Sequence, residues 1–349
     1  MENIYEKRIK MTAEIASKIA LVDEFKGFWK GAKTLSPYTL KKLQKSVIVT
    51  STGASTRIEG SIMTDKEVEK LLASLKSTPP TNRDEEEVAG YADLLNKIFE
   101  GYEKIPITEG VILQFHEILL HYAKKDHDHK GKYKNRENKV ASIDQLGNQK
   151  IIFEPTEPWL VKKEMDDVLF WIREAKERNL HPLLIIASFI FEFLAIHPFT
   201  DGNGRTSRAL TNLMLLHAGY DYIKYVSLEE IIEEQRPQYY DALRKTQKVH
   251  KTEKADITPW LIFMLDTLIE QTKRAKEILL TDNPIDLLSE KHKQVFEIFT
   301  SKEFLFGVQE IANKTHLPEQ TIKQSLRKLL SLHLIERIGL GRATKYQKL

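Results

Sequence analysis

Residues 197–208, His197-Pro198-Phe199-Thr200-Asp201-Gly202-Asn203-Gly204-Arg205-Thr206-Ser207-Arg208, join two helical patterns across a turn. Ahead of them, His181-Pro182 opens the apolar run "LLIIASFIFEFLAI". Pro198 disfavours helical geometry at His197, so that helix is expected to stop there. Gly202 and Gly204 permit a tight loop and a close backbone approach. Beyond them "RTSRALTNLMLLHA" is expected to run as a helix to Gly219, a C-cap glycine. Residues 201–205 then form a helix N-terminus, whose free N–H groups and dipole favour an anion. Arg205 and Arg208 share a face of its first turn. Two arginines at that end are unfavourable without an anion, and such a local conflict points to function. Phosphate suits arginine forks, Asp201 is a hard oxygen ligand suited to Mg²⁺ beside phosphates, and His197 is a candidate base near neutral pH. The chain has no G-x-x-x-x-G-K-[ST], so this is not a P-loop. Taken singly, His197 would read as a core histidine and the arginines as a solvated face; together they read as a site.

Working outward, helical periodicity dominates. Ser36-Pro37 is expected to start one helix, and Thr64-x-x-Glu67 is a capping box opening "DKEVEKLLASL". "STPPTNRDEEE" reads as a polar break before a helix through "VAGYADLLNKIF", and "TEGVILQFHEILLHYA" is another helix. Residues 126–158 lose the helical period. Within them "KVASI" and "KIIF" flank Asp144–Gln149 as a small hairpin. Helices resume at "WLVKKEMDDVLFWIREAK". From residue 284 three short helical patterns precede two strand-like runs turning at Gly339–Gly341, the order of a winged helix-turn-helix. Its third helix carries Lys323, Arg327 and Lys328, and the wing Arg337, Arg342 and Lys345. That arrangement suits DNA, but Glu319 on the same helix and the lack of a dense basic run favour a protein-interaction or packing module.

Bulk properties narrow the classes. With 41% apolar and 30% charged residues, the 349-residue chain has an ordinary globular balance. The absence of cysteine excludes disulfides, thiolate metal sites and a cysteine nucleophile. A formal charge of +3 does not by itself argue for nucleic acid. The first twenty residues are charged and interrupted, unlike a signal peptide. The longest apolar run carries Glu192 and falls short of the ~20 residues a bilayer needs. A cytoplasmic protein without a membrane anchor is expected. "HYAKKDHDHKGK", with His121, His127, His129, Asp126 and Asp128, reads as a solvated loop and not a metal cluster.

Residues 197–208 match throughout the H-x-F-x-[DE]-G-N-G-R-x-x-R motif of the Fic family, which the chain resembles over roughly residues 10–275. The resemblance implies a mainly helical, all-α Fic fold with a small β-hairpin flap, here followed by the winged-helix domain. Expected boundaries are 1–100 for an N-terminal helical region, 101–280 for the catalytic core and 284–349 for the tail. The implied activity is a protein adenylyltransferase, moving AMP from ATP to a Ser, Thr or Tyr hydroxyl of a target protein. By the same resemblance His197 is the base and Asp201 holds Mg²⁺. Gly202, Asn203, Gly204, Arg205, Thr206, Ser207 and Arg208 bind ATP, with Arg205 on the β-phosphate and Arg208 on the γ-phosphate. "STRIEG", residues 55–60, fits the family's inhibitory motif [ST]-x-x-x-E-[GN], with Ser55, Glu59 and Gly60 in the key places. Glu59 would pair with Arg208 and occupy the γ-phosphate's partner. The flap residues Val140, Ala141, Ser142 and Ile143 would face the nucleotide and pair with the target by strand addition. Lys134 stands before the flap where the family often has arginine. Tyr239 and Tyr240 in "RPQYYDAL" would line the adenine side. Self-modification, a homodimer, another nucleotide donor, removal of AMP, and a DNA-binding regulator with a secondary Fic core are the alternatives left open.

Overall fold

The computed structural model describes residues 4–349 except 32–34, 36, 76, 126–127, 139, 144–148, 282–287, 301–303, 333 and 340–343; of 31, 37–38, 140–143, 149–152 and 280–281 it describes the backbone alone. The chain divides into two compact units, one of residues 1–29 and 46–273, the other of 30–45 and 274–349.

The first unit holds α1 (Ile4–Lys7), α2 (Ala13–Gly31) but for its last two residues, α3 (Pro37–Ile58) from residue 46 on, α4 (Asp65–Ser74), α5 (Arg83–Gly101) and α6 (Glu109–Leu119). The antiparallel strands β1 (Val140–Ile143) and β2 (Gln149–Phe153) follow, then α7 (Pro158–Glu177), α8 (Pro182–Ile196), α9 (Asn203–His217), α10 (Leu228–Glu234), α11 (Arg236–Lys248) and, as far as residue 273, α12 (Thr258–Thr281). The centre is α8, whose residues from Leu183 to Ile196 are all buried, as befits a helix apolar on every face. α7 and α9 pack on it, and α5 and α6 pack on α9. Gly90 lets α5 approach α6 closely, since a Cβ there would overlap the Leu119 carbonyl. Glu192, the charge inside the apolar run, pairs with Arg8, and both are buried. Removing either partner would strand a buried charge, the costly case.

The Thr64–Glu67 capping box forms as expected. Gly219 (φ 81°) ends α9: its N–H reaches the Leu216 carbonyl and that of Tyr220 the Leu215 carbonyl, a Schellman arrangement. Two expectations need correction. The polar break does not extend through "RDEEE": α5 starts at Arg83, capped by Asn82, with Asp84, Glu85 and Glu86 in its first turn. Acidic residues there complement the helix dipole. Gln149 belongs to β2 and not to the turn, opposite Ile143, whereas 144–148 lie outside the described residues. The expected boundary near residue 100 falls at the end of α5, and the first unit runs across it.

The second unit holds α13 (Glu290–Phe296), α14 (Val308–Thr315) and α15 (Glu319–Ser331), then the antiparallel pair β3 (Ile335–Ile338) and β4 (Lys345–Lys348). Val295, Phe299, Ile311, Ile322, Leu326 and Leu329 lie in its own core. The expected turn at Gly339–Gly341 and Arg342 falls in part outside the described residues. No helix among the described residues is long and apolar enough to cross a membrane.

Candidate active site

The turn between α8 and α9 is held by many partners. His197 caps α8 in the left-handed region (φ 52°, ψ 60°), its N–H still bonded to the Phe193 carbonyl. A non-glycine residue there costs roughly 1–2 kcal/mol, and it persists because the neighbours over-determine it. The Pro198 carbonyl accepts from the Lys134 N–H at 2.8 Å, and that of Ile196 from Lys134 Nζ at 3.4 Å. The Phe199 carbonyl accepts from Asn203 Nδ2 (2.8 Å) and Asn138 Nδ2 (3.0 Å), while the Phe199 N–H donates to Asn203 Oδ1 at 2.9 Å. Phe199 is fully buried and stacks on His116 at 3.8 Å between centroids. Gly131 donates its N–H to His116 Nδ1 at 3.0 Å, so Nε2 carries the proton that faces the Asp201 carbonyl at 3.0 Å. Burial, against those backbone contacts, pushes the His116 imidazole down to about 4. Gly202 (φ 77°) passes over this ring, where a Cβ would meet Leu119 and His116.

Four of the candidate side chains lie beside this turn. His197 is half-buried. Burial, then the nearby Lys134 ammonium, pushes its imidazole down to about 4, although Leu194, Glu59 and Asp201 oppose the shift. It is therefore neutral at neutral pH and able to accept a proton. Asp201 Oδ2 lies 3.0 Å from Arg205 Nη2 and 3.3 Å from Arg83 Nη2. Burial opposes ionisation of Asp201, but Arg205, the Gly202 N–H and Arg83 outweigh it and hold the carboxyl below its usual range. Arg205 is 1% exposed, and its Nη1 faces Glu87 at 3.0 Å without hydrogen-bond alignment. Thr206 and Ser207 are buried in the first turn of α9; Ser207 Oγ donates to the Gly204 carbonyl.

Arg208, 3% exposed, is gripped from α3. Its Nε donates to Ser55 Oγ, and its Nη2 to the Ser55 carbonyl and to Glu59 Oε1, each at 2.8 Å. The Glu59 carboxylate also lies against Gly204, so that a Cβ there would overlap its Oε1. An anion thus sits at the start of α9, as the dipole favours. Gly60 (φ 113°) ends this segment. The last turn of α3 is tied down by Arg57, whose Nε and Nη2 fork onto Glu233 at 2.6 and 2.9 Å and whose Nη1 reaches Asp65 at 2.8 Å. Tyr239 is buried, with Arg208 among the charges that act on it. Tyr240 packs on it edge to face and donates to the Ile58 carbonyl at 3.4 Å. Val140, Ala141, Ser142 and Ile143 form β1, but their side chains lie outside the described residues.

The structure therefore brings together His197, Asp201, residues 202–208, Ser55, Glu59, Tyr239 and Tyr240. Asn203 differs from expectation in one respect: both polar atoms of its side chain are occupied by Phe199, leaving its backbone N–H for an anion. Sequence reasoning missed His116, Glu87, Arg83, Asn138 and Arg57. The one local signal was His116, a histidine on the apolar side of "ILQFHEIL".

A model of the Fic/DOC family matches residues 106–215. The chain is 27% identical over 229 residues to the protein adenylyltransferase Fic of Drosophila grimshawi, covering 65% of this chain and 42% of that protein. It is 28% identical over the same length to that of Drosophila mojavensis, with 41% of that protein covered. The chain thus spans about two fifths of the length of these curated relatives. Among solved structures, a Fic family protein from Desulfovibrio desulfuricans G20 superposes with a TM-score of 0.66 at 23% identity, covering 98% of both chains. A Fic domain containing signaling protein from Bacteroides thetaiotaomicron gives 0.60 at 21%, covering 75% of this chain and 98% of that one. With the turn, the helix start and the residues around them in place, residues 106–215 are a Fic/DOC family domain.

Proposed function

We propose that the chain transfers AMP from ATP to a hydroxyl of a target protein, and that Glu59 holds this activity in check. The observation that carries the reading is the gathering of His197, Asp201, Arg205 and Arg208 around the start of α9, with the Glu59 carboxylate against Gly204. In the proposed reaction a ring nitrogen of His197 takes the proton of a Ser, Thr or Tyr hydroxyl. The hydroxyl oxygen bonds to the α-phosphorus, the bond to the α–β bridging oxygen breaks, and pyrophosphate leaves. His197 is suited to this because its imidazole is neutral at working pH. The amides of the first turn of α9 and the Arg205 guanidinium offset the phosphate charge, the main need of phosphoryl chemistry. Arg208 would meet the γ-phosphate once Glu59 releases it.

Asp201 fits a Mg²⁺ ligand: its carboxylate is ionised and about a third exposed. Among the described residues no group of three or more ligand side chains forms a protein cage, in keeping with an ion held by a carboxylate and substrate phosphates. When bound, the ion would neutralise charge on those phosphates. The β1–β2 hairpin would dock the target segment by strand addition, and Tyr239 and Tyr240 would flank the adenine. The cytoplasm is the proposed compartment.

The test uses ATP labelled at either the α- or the γ-phosphate, with Mg²⁺ and the purified protein. Only α-label should become protein-bound: slowly in the wild type, at least about tenfold faster in Glu59→Gly, and not at all when His197→Ala is added. Transfer of γ-label would indicate kinase chemistry instead. Equal rates in the wild type and Glu59→Gly would sink the inhibitory role and leave the catalytic one.

A second reading concerns the other unit. On α15 the exposed residues Gln320, Lys323, Gln324, Arg327 and Ser331 line one face, opposite Ile322, Leu326 and Leu329. Amides and cations at that spacing suit base edges and phosphates of duplex DNA, and we infer a DNA-contact surface there.

A further inference from the structure

The elements around the α8–α9 turn supply it unequally. Asn203 and His116 hold carbonyls on the far side of the turn, those of Phe199 and Asp201. The two carbonyls that flank His197 are both held at residue 134, that of Pro198 by the Lys134 backbone N–H and that of Ile196 by its side-chain Nζ. Lys134 is 4% exposed, although its ammonium is the kind of group that normally stays in water. Its ammonium is compensated by the Asn138 Oδ1 at 2.6 Å and the Ile196 carbonyl. Glu157 and Glu164 at α7 also face it, while Lys251 after α11 repels it. A buried cation with this environment has no packing reason to be there: a methionine would fill the same space without the cost of desolvation.

We propose that Lys134 is a positioning residue for His197: its ammonium holds the Ile196 carbonyl just before the histidine, completing a clamp whose other half is the residue's own N–H on the Pro198 carbonyl, and sets a positive charge near the imidazole. The clamp keeps His197 in its left-handed backbone conformation, which aims the ring. The charge opposes protonation of the ring, so the proton-accepting form is kept. The other groups facing His197 act in the opposite sense: Glu59 from α3, Asp201 from the turn itself and the Leu194 backbone all favour the protonated ring. Lys134 is thus the balance to two carboxylates. This balance matters most when phosphates arrive, because they add negative charge next to the same ring. Burial lowers the imidazole first and Lys134 second, so removing Lys134 removes a part of the depression and not the whole of it. Burial also brings the ammonium itself down to about 8, so Lys134 remains largely charged at pH 7.

The role in catalysis rests on the transferase reading, but the effect on His197 does not. The first measurement is therefore a pH titration of histidine side-chain NMR signals in the full-length chain, with His197 assigned from the spectrum of His197→Ala. In the wild type the His197 signal should stay that of a neutral ring down to about pH 4. In Lys134→Met and in Lys134→Gln, its midpoint should rise by more than about half a pH unit, roughly a threefold change in the protonation ratio. Lys134→Arg, which restores the charge, should move it back. The second measurement is the pH profile of AMP transfer in the Glu59→Gly background. There Lys134→Gln should shift the acid limb upward and lower kcat, with the KM for ATP nearly unchanged, because the phosphates are held by α9. A lysine that served only folding would lower thermal stability in all variants and leave both pH midpoints where they were. An unshifted His197 midpoint in folded Lys134→Gln overturns the proposal. Absence of AMP transfer in every variant, with the NMR midpoint shifted as expected, overturns the transferase reading and leaves the role of Lys134 standing.

Discussion

At position 204 a hydrogen in place of a methyl group decides how close an anion can come to α9. The Glu59 carboxylate uses that space, and Arg208 Nη1 would lie 3.2 Å from a Cβ built there. The pose of Glu59 can therefore be tested without any assay of activity. Gly204→Ala alone should destabilise the protein by roughly 1–3 kcal/mol, the usual range for overpacking. In a Glu59→Gly chain the overlap is gone, and Gly204→Ala should be neutral or stabilising by up to about 1 kcal/mol through lower backbone entropy. Urea denaturation of the four chains of this double-mutant cycle measures the coupling. Additive changes would mean that Glu59 does not rest against residue 204. Arg208→Ala is a poor substitute for Glu59→Gly in such work, since it strips Ser55 and Glu59 of their partner and removes the proposed γ-phosphate contact as well.

Elements were legible where their signals are local. A capping box, a proline after His197 and a glycine after α9 each act within a turn of the chain, so α4, the end of α8 and the end of α9 lie where the residues put them. The start of α5 was obscured because acidic residues read as polar loop until their value at a helix N-terminus is counted. What supports the turn was not legible: His116 and Asp201 are 85 positions apart, and Lys134 and Ile196 are 62, and no periodicity reports such pairs. Arg57 belongs with these, linking α3 to Glu233 in α10 and to Asp65 in α4. Its fork fixes the turn that carries Glu59, two residues on. Arg57→Ala should loosen that turn and raise auto-AMP incorporation several-fold, less than Glu59→Gly does, since the carboxylate remains. Adding Arg57→Ala to Glu59→Gly should change little. A folded Arg57→Ala protein no faster than the wild type would show that the α3 terminus holds its place without the clamp.

On the scale of the whole molecule, charge is unevenly placed. Residues 290–349 hold eleven lysines and arginines against six acidic residues, whereas the full chain holds 53 against 50. The excess of cations therefore belongs to the α13–α15 unit, and the remainder of the chain is slightly acidic. On α15 Lys323 is bridged to Glu319 at 2.6 Å, an exposed pair that is worth little and is easily exchanged for a phosphate. Arg327 is exposed one turn further along the same face. The full-length protein should bind a fluorescein-labelled duplex of about 30 base pairs at low salt, measured by anisotropy. Its affinity should fall steeply as salt rises, because bound phosphates release counterions. Lys323→Glu with Arg327→Glu should weaken binding by at least about tenfold at low salt and flatten the salt dependence, since two phosphate contacts become repulsions. AMP transfer by the Glu59→Gly form should be unchanged by the pair, as every residue assigned to that chemistry lies before residue 241. Absence of binding at low salt would leave this surface to a protein partner. Binding that the double substitution does not weaken would move the contact to another part of the chain.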